Sequence, residues 1–170
     1  MISKLKLNSS LSSIISTNQT NIKWNNIDLR VLLGSDVYSK YNIFKLTMTS
    51  VSCTNTAEEY LNNQNASAVN INISGLPFIN ATYSHKEQKN KDSCSLVMYH
   101  FPPLGDFTYS KASSYDENTA VYFRKSGNIY NINIFLTNGL TDELITYKMP
   151  DNDEPVFPYM IFMFNIEPVE

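Results

Sequence analysis

The side chains of this sequence best suited to hold a transition metal are two histidines and two cysteines. His85 lies in a charged stretch and His100 lies at the end of an apolar segment. Cys53 and Cys94 both fall within strand-like segments. A zinc site needs three or four ligands on converging elements. These four residues could in principle form a zinc site with both histidine and cysteine ligands. We expect no metal site and no cofactor, because the four residues lie in separate segments of the sequence.

Nucleophilic catalysis needs a serine or cysteine beside a base, and a third group that orients the base. The chain has no Gly-x-Ser-x-Gly elbow, and the context of the two cysteines indicates packing. Neighbouring carboxylates occur only in polar connections, at positions 58 and 59, 116 and 117, 142 and 143, and 151 to 154. Solvation is the ordinary role of such residues. The sequence therefore predicts no catalytic and no cofactor-binding residue, and we do not expect an enzyme.

The acidic segment at residues 151–154 concentrates oxygen ligands of the kind that calcium prefers. It lacks the glycine and the distant bidentate glutamate of an EF-hand loop. With five glycines in 170 residues, the chain also has no loop that would cradle a phosphate. A calcium site in this loop is an alternative, and we do not expect it.

The overall charge limits the class of partner. The net charge is −3 and the isoelectric point is near 5.4, whereas binding to phosphate backbones needs a basic face. The lysine cluster at residues 86–91 is interrupted by Glu87 and followed by Asp92. We therefore expect no nucleic-acid partner.

Two further patterns concern the compartment. No segment approaches the roughly 18 apolar residues that cross a bilayer, and the first residues lack the apolar run of a secretory signal. We expect synthesis in the cell interior, without secretion and without a membrane span. Cys53 and Cys94 are expected to be reduced, with a single disulfide as the alternative.

Strands must position these side chains, because the sequence alternates between apolar and polar residues along most of its length. Eleven tyrosines and nine phenylalanines, with few runs of helix formers, favour pleated surfaces. The clearest strand spans residues 41–53, where Phe44, Leu46 and Met48 share one face. Other predicted strands lie at residues 2–7, 22–27, 68–74, 94–101, 119–124, 129–136 and 159–166, with an apolar run at 31–33 and a possible extension at 78–83.

The connections carry their own signals. Gly127 and Asn128 tolerate positive φ, so residues 125–128 predict a hairpin between the strands on either side. Residues 8–20 predict an arm or an irregular connection, and residues 107–117 a long connection over a sheet edge. The last strand is almost continuously apolar, which indicates burial on both faces, or on one face plus a partner chain.

About eight strands in one compositional zone predict a single all-β domain over residues 1–170. The expected architecture is an antiparallel two-sheet sandwich of the jelly-roll type. A seven-stranded immunoglobulin-like sandwich is the nearest alternative. Trp24 precedes both cysteines, so the Cys…Trp…Cys spacing of a true immunoglobulin domain is absent.

Tyrosines recur at or near the predicted connections. Three roles fit them: a protein interface, ordinary half-buried packing with the hydroxyl in water, or platforms that stack on sugars. The residues concerned are Tyr38, Tyr41, Tyr60, Tyr83, Tyr109 and Tyr115. An interface is the role that we favour.

The segment from Trp24 to Phe44 contains Leu33-Gly34-Ser35-Asp36-Val37-Tyr38-Ser39-Lys40-Tyr41. It resembles a recurring opening in minor capsid proteins of large icosahedral double-stranded DNA viruses. In those proteins a Trp-containing lead-in precedes a Leu-Gly-Asp-x-Tyr-x-Lys-Tyr-like stretch and a Phe-bearing strand. Ser35 is a one-residue departure, because it separates Gly34 from Asp36. The layout from residue 125 to the aromatic last strand is also similar.

The resemblance implies a single jelly roll that lies beneath or between major capsomers and joins many neighbours. It implies no catalytic residue. We therefore expect a structural component of a virion, namely a minor capsid protein in a large symmetric assembly with the major capsid protein and further minor capsid proteins. The alternatives are a penton (vertex) protein and a carbohydrate- or receptor-binding sandwich.

Overall fold

A computed structural model describes residues 2–12, 14–15, 21–54, 69–79, 93–99, 107–111, 120–138, 143–144 and 160–169. This part of the chain contains ten strands, two short α-helices and one 3-10 turn. The strands are β1 (Ser3–Asn8), β2 (Ile14–Ile15), β3 (Ile22–Asp28), β4 (Ile43–Thr54), β5 (Val69–Ser74), β6 (Ser93–Tyr99), β7 (Phe107–Lys111), β8 (Ala120–Arg124), β9 (Ile129–Asn138) and β10 (Met160–Pro168). The 3-10 turn spans Ser9–Leu11, and the helices are α1 (Leu29–Leu33) and α2 (Ser35–Lys40).

The strands form two antiparallel sheets of five strands each. Sheet A has the order β1-β10-β4-β7, and β8 also pairs with β4. Sheet B has the order β2-β3-β9-β5-β6. The prediction of an all-β antiparallel sandwich is confirmed. The described strands number ten rather than about eight because β2 and β7 fall in segments that the pattern assigned to connections.

The core lies between the two sheets and is filled by alternate residues of the strands. Met160, Phe162, Phe164 and Ile166 of β10 are all 0% exposed. Their spacing of two is the period that places side chains on one face of a strand. Burial of each such side chain contributes about 1.5–3 kcal/mol relative to exposure. The central strand of sheet A is therefore held by its inner face.

Trp24 connects the two sheets. Its ring meets that of Phe162 edge-on, with centroids 6.2 Å apart and planes at 82°. Its Nε1 donates a hydrogen bond of 2.9 Å to the carbonyl of Asn8. A buried indole N–H needs such an acceptor. Trp24 thus fixes β3 against the end of β1.

The hairpin predicted at residues 125–128 is wrong. β8 pairs with β4 in sheet A, and β9 pairs with β3 and β5 in sheet B, so this link crosses from one sheet to the other. Phe123 and Tyr130, on either side of the link, meet edge-on across the core with centroids 6.4 Å apart. Burial of these two rings between the sheets outweighs the local turn signal.

The apolar run at residues 31–33 does not continue the strand before it; it belongs to helix α1. Leu29 and Leu33 are both buried, and their spacing of four places them on one helical face. The Asp28 carboxylate begins the helix by accepting a hydrogen bond of 2.9 Å from the backbone N–H of Arg30. The spacing of two leucines and one cap residue outweighs the strand pattern here.

Two further segments differ from their predicted roles. Residues 107–111, predicted as a connection, pair with β4 as strand β7. Phe78, which the sequence places as an extension of the strand at 68–74, instead bridges to Phe123 of sheet A. In both cases pairing with residues distant in sequence determines the structure of the segment. The local alternation of apolar and polar residues contains no information about such a partner.

The described part of residues 8–20 lies against the sheets. Ser9 is buried, and its Oγ accepts a hydrogen bond of 2.9 Å from the backbone N–H of Met160. Ile14 and Ile15 pair with β3 as strand β2. These residues have the form of an irregular connection, and residues 16–20 lie outside the described part.

Candidate assembly surface

The residues whose side chains could support catalysis or metal binding lie largely outside the described part of the chain. His85, His100 and residues 151–154 lie there. Cys53 lies on β4 of sheet A and Cys94 on β6 of sheet B. Within the described ranges, no group of three or more potential metal ligands occurs. No helix among the described residues is both long and apolar enough to cross a membrane.

The motif from Trp24 to Phe44 builds an aromatic cluster at one end of the sandwich. We name it the end cluster; it consists of Tyr38, Phe44, Phe123 and Tyr130. The ring of Phe44 lies between those of Tyr38 and Phe123, with both centroid distances at 5.6 Å. Leu33 is also buried, and Gly34 adopts a φ of 86° between the two helices. The buried residues of this motif therefore contribute to the packing and stability of the fold.

The hydroxyls of the end cluster are bonded within the molecule. Those of Tyr38 and Tyr130 lie 2.9 Å apart and both are within hydrogen-bond distance of the carbonyl oxygen of Gly127, so two hydroxyl protons serve the three contacts among these oxygens. The hydroxyl of Tyr130 also accepts a hydrogen bond of 3.1 Å from the backbone N–H of Ser126. Lys125 donates a 2.7 Å hydrogen bond to the carbonyl of Tyr38. These bonds hold the crossing link between β8 and β9.

Of the tyrosines considered for an interface, two can be assigned. Tyr38 is 2% exposed, and Tyr41 is partly buried against the core. Both have the packing role. Tyr109 lies on β7, and the remaining three lie outside the described part.

Tyr38 predicts a loss of stability at alkaline pH. Burial, and then its hydrogen bond with Tyr130, raise the pKa of Tyr38 above its usual value near 10. The folded state thus favours the neutral phenol, and this stabilisation is complete below the unfolded pKa and is lost as the pH rises above it. We expect the free energy of unfolding, measured with urea, to fall above about pH 10. The fall should be smaller in Tyr38→Phe, and an identical fall in both proteins would contradict this assignment.

The candidate functional surface is the solvent side of sheet A, which we name the outer face of sheet A. Strand β10 runs through it between β1 and β4. The residues of β10 on this face are Ile161, Met163, Asn165 and Glu167, which alternate with the buried ones and are all partly exposed. β10 is therefore fully buried on one face only within this chain. Two alternatives were predicted for this strand: burial on both faces, or burial on one face plus contact with a partner chain. The contact with a partner chain stays a prediction.

Basic residues surround the apolar centre of this face. Lys4 and Lys6 on β1 are exposed and lie directly opposite Asn165 and Met163. Their neighbours Leu5 and Leu7 are buried, so the alternation of β1 directs both lysines to the solvent side.

The positive charge continues across the sheet. Lys45 on β4 lies opposite Glu167, and on β8 Arg124 is exposed two residues beyond Tyr122. Neighbouring strands lie about 4.8 Å apart, so β4, which carries Lys45, is about 10 Å from β1. Strand β8 is about 14 Å from β1. Among the described residues, Arg30 and Asp28 form an ion pair with an N–O distance of 2.7 Å, and this pair lies away from the outer face of sheet A.

The solvent side of sheet B differs in kind. It carries amides, and Asn72 at its centre is only 4% exposed. The Nδ2 of Asn72 donates a hydrogen bond of 3.0 Å to the hydroxyl of Thr137. Lys23 is the cation that the described strands place on this side. The two sides of the sandwich are thus chemically distinct.

Comparisons with known proteins add one likeness. No family model matches the chain, and no curated protein matches it. Among solved structures, the chain is similar to one titled Desmodium yellow mottle tymovirus, with 8% identity and a TM-score of 0.26. The match covers 100% of this chain and 89% of that chain. At this TM-score the likeness assigns no residue.

Proposed function

We propose that this chain is a structural, non-catalytic component of a viral shell, a minor capsid protein that joins or supports major capsomers. Its partners are then the major capsid protein and further minor capsid proteins, and its place is the virion after synthesis in the host cell. The sequence resemblance suggests this role. The structural observation that best supports this role is the order in which the strands pair.

The pairing of strands is nested along the chain. The first strand, β1, pairs with the last, β10. Inside that pair, β3 pairs with β9, β4 with β8, and β5 with β6. Successive pairs alternate between sheet A and sheet B. This is the order of a long antiparallel hairpin wound around a core. It supports the jelly-roll type of sandwich, which viral capsid and lectin domains share.

The chemistry of the surface favours a shell role over a sugar-binding one. A sugar platform needs coplanar exposed aromatics, and Tyr38 is buried while Tyr41 packs against the core. The outer face of sheet A instead has an apolar centre with a charged rim, as protein interfaces do. A penton protein would use the same fold, and copy number distinguishes it from a minor protein.

Quantitative mass spectrometry of gradient-purified virus particles tests the proposal. We expect the chain to sediment with the particles at a fixed ratio to the major shell protein. A ratio set by the vertices alone would favour the penton alternative. Recovery only in the soluble host fraction, together with hits for the purified chain on a glycan array, would replace the shell role with the binding-module alternative.

A further inference from the structure

We propose that the outer face of sheet A binds an acidic surface on a different chain of the shell, one whose carboxylates surround apolar side chains. This inference rests on the proposed function as an assembly protein, and it names the surface of this chain and the chemistry of its partner. Two observations support it: positive charge is concentrated on this face, and the strands place exposed apolar side chains among those charges.

The positive charge of the described residues is concentrated on the outer face of sheet A. The charged side chains described on this face sum to +3: Lys4, Lys6, Lys45, Arg124 and Glu167. The other charged side chains that the structure describes lie on sheet B, the helices and the connections, and they sum to only +1: Lys23, Asp28, Arg30, Asp36, Lys40, Lys125 and Glu143. One side of the sandwich therefore carries most of this net charge.

The cations of this face are not neutralised by described neighbours. Within the described ranges, no carboxylate lies within 4 Å of the side-chain nitrogens of Lys4, Lys6, Lys45 or Arg124. Lys45 and Glu167 lie opposite each other on neighbouring strands without forming an ion pair. Charges of this kind attract and orient a partner surface of the opposite sign.

Apolar residues continue the face at the end where β4 begins. Val169 follows β10, and its backbone N–H donates a 2.9 Å hydrogen bond to the carbonyl of Ile43. On its other side, Ile43 lies opposite Arg124 of β8. Beyond β8, the backbone N–H of Ile79 donates a 2.8 Å hydrogen bond to the carbonyl of Tyr122. Residues 77–79 therefore extend sheet A by one more segment.

The exposed apolar side chains share the solvent side with the lysines. Phe78 bridges to the buried Phe123 and packs against the core, so alternation directs its neighbour Ile79 outward. Ile79 is 50% exposed and Val169 is 44% exposed. They lie about 14 Å apart, or three strand spacings. Apolar side chains next to a charged and solvated rim are typical of protein interfaces.

The size of the face suits an interface of ordinary area. From Ile161 to Val169 it is about 26 Å long, and from β1 to residues 77–79 it is about 19 Å wide. These dimensions give a footprint of about 500 Å², and the relief of the side chains adds to the accessible area. A standard interface buries about 800 Å² on each partner. A single partner surface can therefore cover most of the face.

The partner differs from a second copy of this chain. Two copies that met through this face would bring +3 against +3, which is repulsive. The described side chains elsewhere on the molecule sum to +1, so they provide no acidic counterpart. A carboxylate-rich surface on another chain is attracted to the face, and its apolar side chains can cover Ile161, Met163, Ile79 and Val169.

An acidic protein fits this face better than a nucleic acid or an anionic lipid surface. Phosphate backbones are bound by basic surfaces, whereas the whole chain carries −3. Glu167 lies within the face and would be repelled by a layer of phosphates. The aliphatic side chains also offer no stacking platform for bases. Binding to either polyanion is therefore a competing outcome in the test.

Zero-length cross-linking in gradient-purified virus particles tests the contact. A carbodiimide joins a lysine amine directly to a carboxylate that it touches, and mass spectrometry identifies both residues. We expect links from Lys4, Lys6 or Lys45 to aspartates and glutamates of another shell chain. Lys23 on sheet B and Lys40 at the end of α2 are the internal controls, and they should form such links several times less often.

The cross-links also separate this inference from the proposed function. If the chain is present in the particles but these three lysines form no links, the inference is overturned and the shell role stands. Links that stay within this sequence, in one copy or between two copies, overturn it as well. If the chain is absent from the particles, the shell role fails, and the inference fails with it.

Binding of the purified full chain to the shell protein that receives the links tests the charges. Lys4→Glu with Lys6→Glu should weaken binding about tenfold or more, and less so at high salt. Lys23→Glu with Lys40→Glu changes the net charge equally and should weaken it less than about twofold. Circular dichroism checks the fold, and Lys4→Gln with Lys6→Gln is a milder variant that should lose an intermediate amount. Equal loss in the variant and its control overturns the proposal.

A second pair of variants tests the apolar part of the face. Ile79→Ser with Val169→Ser should weaken binding about fivefold or more. The matched control is Val31→Ser with Ile129→Ser, since these side chains are 84% and 58% exposed and lie on α1 and on β9 of sheet B. We expect a change of less than about twofold for the control. Binding that depends on the lysines but not on Ile79 and Val169 would overturn the proposed mixed surface.

Two polyanion probes complete the test. An RNA oligonucleotide and vesicles containing phosphatidylserine are mixed with wild-type protein and with the Lys4→Glu, Lys6→Glu variant. We expect no binding of either probe at physiological salt. Binding that the variant loses, combined with unchanged binding of the cross-linked shell protein, would assign the face to a polyanion and overturn the proposal.

Discussion

Replacing Gly75 with alanine is expected to lower the free energy of unfolding by more than about 4 kcal/mol, which places it among the exceptional substitutions. Gly75 closes β5 with a φ of +94°. A Cβ built at this position would lie 1.8 Å from the carbonyl oxygen of Asn131 and 2.9 Å from its carbon. Both atoms belong to the backbone of β9, in the middle of sheet B, so the clash cannot be relieved by turning a side chain.

Gly34 provides the matched control for Gly75. Its φ is +86°, and an added Cβ would meet no atom within 4 Å. Gly34→Ala therefore isolates the cost of the backbone conformation, about 1–3 kcal/mol. Urea titration of the two variants measures the difference. Equal losses would show that β5 and β9 do not approach as closely as the structure has them.

Replacing Phe44 with alanine is expected to cost about 3–5 kcal/mol of the free energy of unfolding. Phe44 is 0% exposed, and its ring packs between those of Tyr38 and Phe123. Truncation removes both ring contacts and leaves a cavity within the end cluster. Because Tyr38 is held on α2 and Phe123 on β8, the neighbouring rings have little freedom to fill the cavity.

Phe135→Ala is the control for this second prediction. Phe135 lies on β9 and is partly exposed, on the solvent side of sheet B. Its truncation removes less buried area, so we expect a loss of about 1 kcal/mol or less. Thermal or urea unfolding of both variants provides the comparison. A larger loss for Phe135→Ala than for Phe44→Ala would contradict the assignment of the core.

Much of the fold could be predicted from period-two alternation. Phe44, Leu46 and Met48 were placed on one face of a strand, and all three are buried on β4. β9 and β10 were placed to within a few residues. Alternation reports which face of a strand is buried, and the composition alone favours strands over helices. The all-β sandwich follows from these two observations.

Other features could not be predicted because they depend on partners distant in sequence. The link at residues 125–128 has turn chemistry, yet the choice between a hairpin and a crossing is made by Phe123 and Tyr130 on opposite sheets. Strand β7 is defined by its pairing with β4, about 60 residues away in sequence. Helix α1 was hidden in an apolar run, although the spacing of Leu29 and Leu33 carried the signal.

The candidate surface was predicted in part. The apolar run of the last strand predicted burial on both faces, or on one face plus a partner chain; in the structure its partly exposed apolar side chains are Ile161 and Met163, and the partner chain stays a prediction. The positive rim was not predicted, because Lys4, Lys45 and Arg124 are far apart in sequence and meet only through the register of β1, β10, β4 and β8. The net charge of the chain argued against a nucleic-acid partner. It does not report how the charges are distributed, so it gave no sign of the basic face on sheet A.

Electron cryo-microscopy of intact virus particles tests the proposal that this chain is a structural component of a viral shell. We expect density that fits a sandwich with the ten described strands, at positions repeated by the symmetry of the shell, with Ile161 and Met163 covered by a neighbouring chain. A shell whose density is complete without this chain would contradict it.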